Sequence, residues 1–229
     1  MAQKKRQDKA DENKTNILIV DDHPIVRQGL AELVNHEHDL VVCGQAEDVH
    51  QAMKAIKELR PNMAVVDISL KETSGLELIK DINAQYPDLP VLALSMHDES
   101  LYAERALRAG ARGYIMKAEA TEKVVMAIRK ILSGDIYISD KMAAKMMLKL
   151  VGSKTEVSAS PVERLSDREL EVFHLIGQGF GTRQISERLC LSIKTIETYR
   201  AHIKEKLNLA DAVELLQHAI QWVNSRGDG

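Results

Sequence analysis

Five short apolar runs, each followed by a stretch with apolar residues at helical spacing, constrain this chain more than any other feature. The clearest is Asn62 to Leu70, where Met63-Ala64-Val65-Val66 runs without polar alternation into Asp67. Arg60-Pro61 precedes it and the turn-prone Lys71-Glu72-Thr73-Ser74-Gly75 follows. A run of this kind suits a central parallel strand covered on both faces, because neither side of its pleat meets water. Asp67 then emerges at the strand's C-terminal edge, where ligands bind in open parallel sheets. Taken alone, the same residue could equally cap the next turn.

The neighbouring runs follow the same rule. Ile17 to Val20 ends in Asp21 and Asp22, and His23-Pro24 opens a helix with Ile25, Val26, Leu30, Leu33 and Val34 at helical spacing. Leu40 to Cys43 leads into a helix near 48–59, and Ser74-Gly75 opens one carrying Leu76, Leu78, Ile79 and Ile82. Val91 to Ser95 precedes a helix of about 99–109 that Gly110 closes. Gly113 to Lys117 is the fifth predicted strand, and 121–133 the fifth helix. Alternation of this kind implies a doubly wound, five-stranded parallel sheet of the α/β class.

Asp21, Asp22, Asp67, Ser95 and Lys117 all fall at or just past strand ends, which lie side by side in such a sheet. Two carboxylates about 4 Å apart repel by roughly 4 kcal/mol at an effective dielectric near 20, so the acids require a counter-charge. A hard divalent cation such as Mg²⁺ fits an all-oxygen donor set. The Lys117 ammonium is too compact to neutralise all three acids.

With an acidic pair after strand one, Asp after strand three, Ser after strand four and Lys after strand five, residues 15–135 resemble the receiver domain of two-component response regulators, a flavodoxin-like fold. The resemblance implies that Asp67 accepts a phosphoryl group from a sensor histidine kinase. It implies Mg²⁺ held by Asp21, Asp22, Asp67 and the Ser69 carbonyl, and phosphoryl oxygens met by Ser95 and Lys117. Tyr114 corresponds to the aromatic that follows the Ser inward in this family; otherwise it is a plain edge-strand aromatic. Ser69 and His97, two residues beyond Asp67 and Ser95, are expected to tune phosphoryl lifetime, although His97 reads equally well as a solvated loop residue. Lys71 and Ala118 stand where the family often has Pro, and neither change removes a reacting atom.

The remaining chain is of another kind. At 229 residues, two domains are expected. The composition, 45% hydrophobic and 28% charged, is that of a soluble globular protein. A net charge of -3 means that any basic surface is local. Cys43 and Cys190 form no metal motif and suit a reducing, cytoplasmic setting, and no apolar run is long enough for a membrane span. Residues 1–14 have little to bury and are expected to be a disordered tail. Residues 136–161 are expected to link the domains through a short helix, carrying Met142, Met146 and Met147, and a Gly/Ser-rich hinge.

Ser166 with Glu169 forms a capping box, Thr182 is expected to cap a second helix, and a third spans about 193–207 before a fourth from Ala212 to Val223. Short helices joined by the tight turn Cys190-Leu191-Ser192 are a helix-turn-helix. With Ile196, Ile203 and Leu207 inward, Lys194, Glu197, Thr198 and Ala201 share the outer stripe, flanked by Thr195, Arg200 and Lys206, with Arg183 on the second helix. Residues 162–226 resemble the four-helix LuxR-type DNA-binding domain through Leu165-Ser166-x-Arg168-Glu169, Gln184-Ile185-Ser186 and Lys194-Thr195-Ile196-x-Thr198-Tyr199. Arg183 and Ile196 replace a common Asn and Val. The whole is similar to the NarL/FixJ response regulators, which implies a transcription regulator that dimerises on promoter DNA. The competing classes are a Mg²⁺-dependent phosphohydrolase with an Asp nucleophile, which would need Asp-x-Asp after the first strand, and a receiver acting without phosphorylation.

Overall fold

The structure, a computed structural model, describes residues 14–70, 74–96, 99–151 and 161–227. The chain divides into two compact units at residues 152/153. In the first, β1 (Thr15–Val20), α1 (Pro24–His36), β2 (Leu40–Ala46), α2 (Val49–Leu59), β3 (Met63–Asp67), α3 (Gly75–Gln85), β4 (Val91–Ser95), α4 (Glu99–Ala109), β5 (Gly113–Met116) and α5 (Ala120–Leu132) alternate. The strands form one parallel sheet in the order β2-β1-β3-β4-β5, the flavodoxin-like arrangement. Every residue of β3 and β4 is buried, which is why both read as solid apolar runs. Ile17, Ile19, Met63, Val65, Leu92 and Leu94 pack beneath Leu30 and Val34 of α1 and Val124 and Ile128 of α5.

Local chemistry sets the helix ends. Pro24 opens α1, Asp48 caps α2 by accepting from Gln51 N–H at 2.8 Å, and Ser74 caps α3 by accepting from Leu76 N–H. Register does the rest: the pairs Val20↔Val66, Asp67↔Leu94 and Ser95↔Met116 bring the ends of β1, β3, β4 and β5 to one edge.

Three boundaries differ from the sequence reading. Strand β2 continues to Ala46, because pairing with β1 extends it through the less apolar Gly44-Gln45. Lys117 lies just past β5, in the 3-10 turn Lys117–Glu119 that leads directly into α5 at Ala120. Residues 137–142, read as the start of a linker, are bound to the first unit. Tyr137 accepts from Tyr114 N–H and donates to the Arg112 carbonyl, both at 2.9 Å. Ser139 N–H donates to Glu99 Oε1 at 2.8 Å, and Met142, near the start of α6 (Asp140–Val151), is buried. The expected hinge and tail fall, except for residues 14 and 161, outside the described residues.

The second unit holds a 3-10 turn (Pro161–Arg164), α7 (Asp167–Gly177), α8 (Thr182–Arg188), α9 (Ile193–Leu207) and α10 (Ala212–Gly227). Phe173, Ile176, Ile185, Ile196, Ile203, Leu215 and Ala219 are buried within it, and the Trp222 ring lies 5.5 Å from that of Phe173. The capping box of Ser166 and Glu169 is present. Gly181, rather than Thr182, occupies the cap of α8. Thr182 is the first helical residue, and the Gln184 side chain accepts from Gly181 N–H at 2.9 Å.

Gly113 makes the docking of Tyr137 possible, since a Cβ there would lie 2.8 Å from both the Tyr137 carbonyl oxygen and Ile131 Cδ1. Gly113→Ala is therefore expected to cost about 1–3 kcal/mol and to loosen residues 137–142. Thermal unfolding together with amide exchange at Tyr114 and Ser139 checks this; parental protection in the variant would contradict it.

Candidate functional site

The edge formed by the strand ends holds a buried acid cluster. Asp21 and Asp67 are 0% exposed and Asp22 5%, and the ligating atoms of these three and His23 lie within 4.8 Å of one another. Lys117 reaches into the cluster with its side chain 5% exposed. Its Nζ lies 2.7 Å from Asp67 Oδ2 and 2.8 Å from Asp21 Oδ2. His23, read from sequence only as a helix start, also reaches the acids. Its Nδ1 is 2.6 Å from Asp22 Oδ1, and its N–H donates to Asp21 Oδ1 at 2.8 Å. The available signal was its position directly after the acid pair.

Asp67 is held from both sides, with Ser69 N–H donating to Oδ1 at 3.0 Å and Lys117 to Oδ2. The start of α3 presses against its backbone: a Cβ on Gly75 would fall 1.9 Å from the Asp67 carbonyl oxygen, and Gly75 N–H donates to the Ile68 carbonyl at 2.9 Å. Ser95 is fully buried at the end of β4, and Tyr114 on β5 is buried at 2% exposure. Ser69 is half-buried, and His97 lies outside the described residues.

Three acids against one lysine leave the cluster short of positive charge. Burial pushes the Asp67 carboxyl above its ordinary range, Lys117 pulls it back, and Asp21 adds to the rise. Burial works against the Lys117 ammonium, yet Asp67 and Asp21 hold it above the usual lysine range. The all-oxygen character of the carboxylates suits a divalent cation, which would supply the missing charge.

In the second unit, α9 exposes Lys194, Glu197, Thr198 and Ala201, with Thr195 and Arg200 half-buried. Ser192 caps α9 by accepting from Thr195 N–H at 3.0 Å. The Thr198 hydroxyl donates to the Lys194 carbonyl at 3.0 Å, so its methyl is the part left for a partner. Arg183 pairs with Glu187 on α8 at 3.1 Å. The Lys206 ammonium, with its side chain 40% exposed, lies 2.6 Å from Glu169 Oε2 and so ties α9 to the capping box of α7. Sequence reasoning had no means to see a contact spanning 37 positions. Arg168 with Glu171, 2.7 Å apart, is a largely buried pair within α7.

Comparison with known proteins follows this division. Residues 17–129 match the response regulator receiver domain, and 163–219 match the luxR family of bacterial regulatory proteins. The oxygen regulatory protein NreC of Staphylococcus epidermidis is 37% identical over 210 residues, covering 90% of this chain and 96% of the relative. The chain is a response regulator of the NarL/FixJ type. The NreC of Staphylococcus carnosus is 35% identical over 209 residues, with 90% and 96% covered. Among solved structures, the Salmonella typhimurium RcsB response regulator matches with a TM-score of 0.54 and 27% identity over 90% of this chain and 98% of that one. An RcsB-DNA complex matches with 0.58 and 25%, over 90% and 99%. This response regulator therefore combines a receiver with a LuxR-type DNA-binding domain as a phosphorylation-controlled transcription regulator, a class that disfavours the phosphohydrolase reading. No helix among the described residues is long and apolar enough to cross a membrane.

Removing the Asp67 charge relieves repulsion that the fold otherwise tolerates. Asp67→Asn is expected to stabilise the metal-free protein by about 1 kcal/mol, raising Tm by roughly 2–4 °C, whereas Lys117→Met should cost about 3–5 kcal/mol by leaving buried acids without their counter-ion. Calorimetry in chelator checks both, and a lower Tm for Asp67→Asn would contradict the charge balance. Glu169 behaves oppositely. Burial alone would raise its pKa, but Lys206 and Ser166 hold it below the ordinary carboxylate range. Because its folded pKa is depressed, the stability it contributes is present above the unfolded value of about 4.3 and disappears as pH falls through the folded one. Glu169→Gln should flatten the acid limb of output-domain unfolding between pH 5 and 2, read from Trp222 fluorescence; an unchanged limb would contradict the coupling.

Proposed function

We propose that Asp67 accepts a phosphoryl group from a phosphohistidine of a sensor histidine kinase, and that the modified receiver promotes dimeric binding of α9 to promoter DNA in the cytoplasm. The observation that carries this reading is the contact of Lys117 Nζ with Asp67 Oδ2 inside a buried set of acids at the sheet's C-terminal edge. A carboxylate oxygen of Asp67 attacks phosphorus while the phosphorus–nitrogen bond to the donor imidazole breaks, leaving an acyl phosphate. Lys117 and the buried Ser95 are the groups for the phosphoryl oxygens, which bring about two negative charges. Asp21, Asp22, Asp67 and the Ser69 carbonyl would hold Mg²⁺, which would supply positive charge to offset that of the phosphoryl group. Tyr114 takes up the space that Ser95 vacates, and Ser69 and His97 tune the lifetime of the acyl phosphate.

On the DNA side, Glu197 accepts from a cytosine amino group and Thr198 or Ala201 touches a thymine methyl, while Lys194, Arg200 and Lys206, with Arg183 and Thr195, face the sugar-phosphate walls. So few basic residues make one domain a weak binder, and two copies on paired half-sites compensate. The RcsB structures, which include dimers bound to DNA, support this arrangement.

Incubation with a small phosphodonor and Mg²⁺ is expected to give about one acid-labile phosphate per parent chain and none on Asp67→Ala, read by intact-protein mass spectrometry. Stoichiometric phosphate on the variant would show that another residue is the acceptor.

A further inference from the structure

The corner between β1 and α1 contains a polar group that the sheet leaves without a partner. Pairing of β1 with β3 ends at Val20↔Val66, and the last backbone bond toward β2 is from Asp21 N–H to the Ala46 carbonyl at 3.1 Å. The carbonyl of Asp21 lies beyond this ladder, on a residue that is 0% exposed, so bulk water does not reach the residue. Its partner is a side chain: Arg27, one turn into α1, donates from Nη1 at 2.5 Å. Arg27 also closes the corner through its backbone, since its N–H donates to the His23 carbonyl at 3.0 Å. Arg27 is half-buried, and no carboxylate pairs with its guanidinium among the described residues.

We infer that Arg27 is the positioning residue of the acid pair, holding the Asp21 carbonyl so that the carboxylates of Asp21 and Asp22 stand where a divalent cation and the phosphoryl group require them. This rests on the reading of the cluster as a Mg²⁺ site. A buried carbonyl without a donor turns toward the nearest one, and here that rotation would carry both acids, which are adjacent on the same short corner. Two roles for Arg27 predict opposite signs. As a charge alone, a cation beside the acids repels Mg²⁺, and its removal would tighten binding. As an anchor, its removal weakens binding.

The test uses the full chain with Arg27→Met, which keeps most of the aliphatic stem, and Arg27→Lys, which keeps one reachable donor. Mg²⁺ affinity is measured by calorimetry, and exchange of the His23 amide by NMR without metal. Arg27→Met is expected to bind Mg²⁺ on the order of tenfold more weakly and to exchange His23 faster, with Arg27→Lys close to the parent in both. Unchanged or tighter Mg²⁺ binding by folded Arg27→Met overturns the inference, as does an equal loss in Arg27→Lys. Should Arg27→Met not fold, Arg27→Lys carries the test: parental affinity and exchange support the anchor, and loss of both overturns it. A parent that binds no Mg²⁺ sinks the metal reading instead, and the metal-free exchange of His23 then judges the anchor separately.

Discussion

One ammonium between two buried carboxylates is the contact on which the receiver site depends. Lys117 arrives from the turn after β5, Asp21 from the end of β1 and Asp67 from the end of β3, so the contact exists only when the strands hold their register. Even then the arrangement is under-neutralised, and the burial that holds these groups in place also raises the Asp67 pKa. A pocket with surplus negative charge has a built-in affinity for a cation, and it responds strongly when a group with more charge arrives. Stability is given up here for chemistry, as is common at functional sites.

The backbone around the cluster is as constrained as its side chains. Gly75 lets α3 begin against the Asp67 carbonyl, where no Cβ fits. Arg27 satisfies the Asp21 carbonyl beyond the last rung of the sheet. Gly113 admits the Tyr137 backbone beside β5, next to the buried Tyr114, and so fastens the start of α6 to the strand that precedes Lys117. Small residues and one arginine thus do what the ladder of a parallel sheet cannot do at its own edge.

The DNA-binding unit uses a carboxylate in a different way. Glu169 is nearly buried, closes the capping box of α7 and receives Lys206 from the far end of α9. One residue thereby sets a helix start and fixes the angle at which α9 lies on α7.

Much of this was legible in the chain. Solid apolar runs dictated a parallel sheet, because only strands covered on both faces need no polar alternation, and the acids, Ser95 and Lys117 fell at predicted strand ends for the same reason. The capping box of Ser166 and Glu169 and the outer stripe of α9 were equally visible, since both are set by neighbours within four residues. What the chain did not reveal are contacts between residues distant in sequence: Lys206 on Glu169 and Tyr137 along β5. The inclusion of His23 and Arg27 in the acid corner was likewise hidden, although both lie close by, because it depends on how a single strand-to-helix turn is folded. Local periodicity determined the elements and their polar ends; tertiary packing decided which charges meet, because a charge takes as its partner the group that burial places beside it.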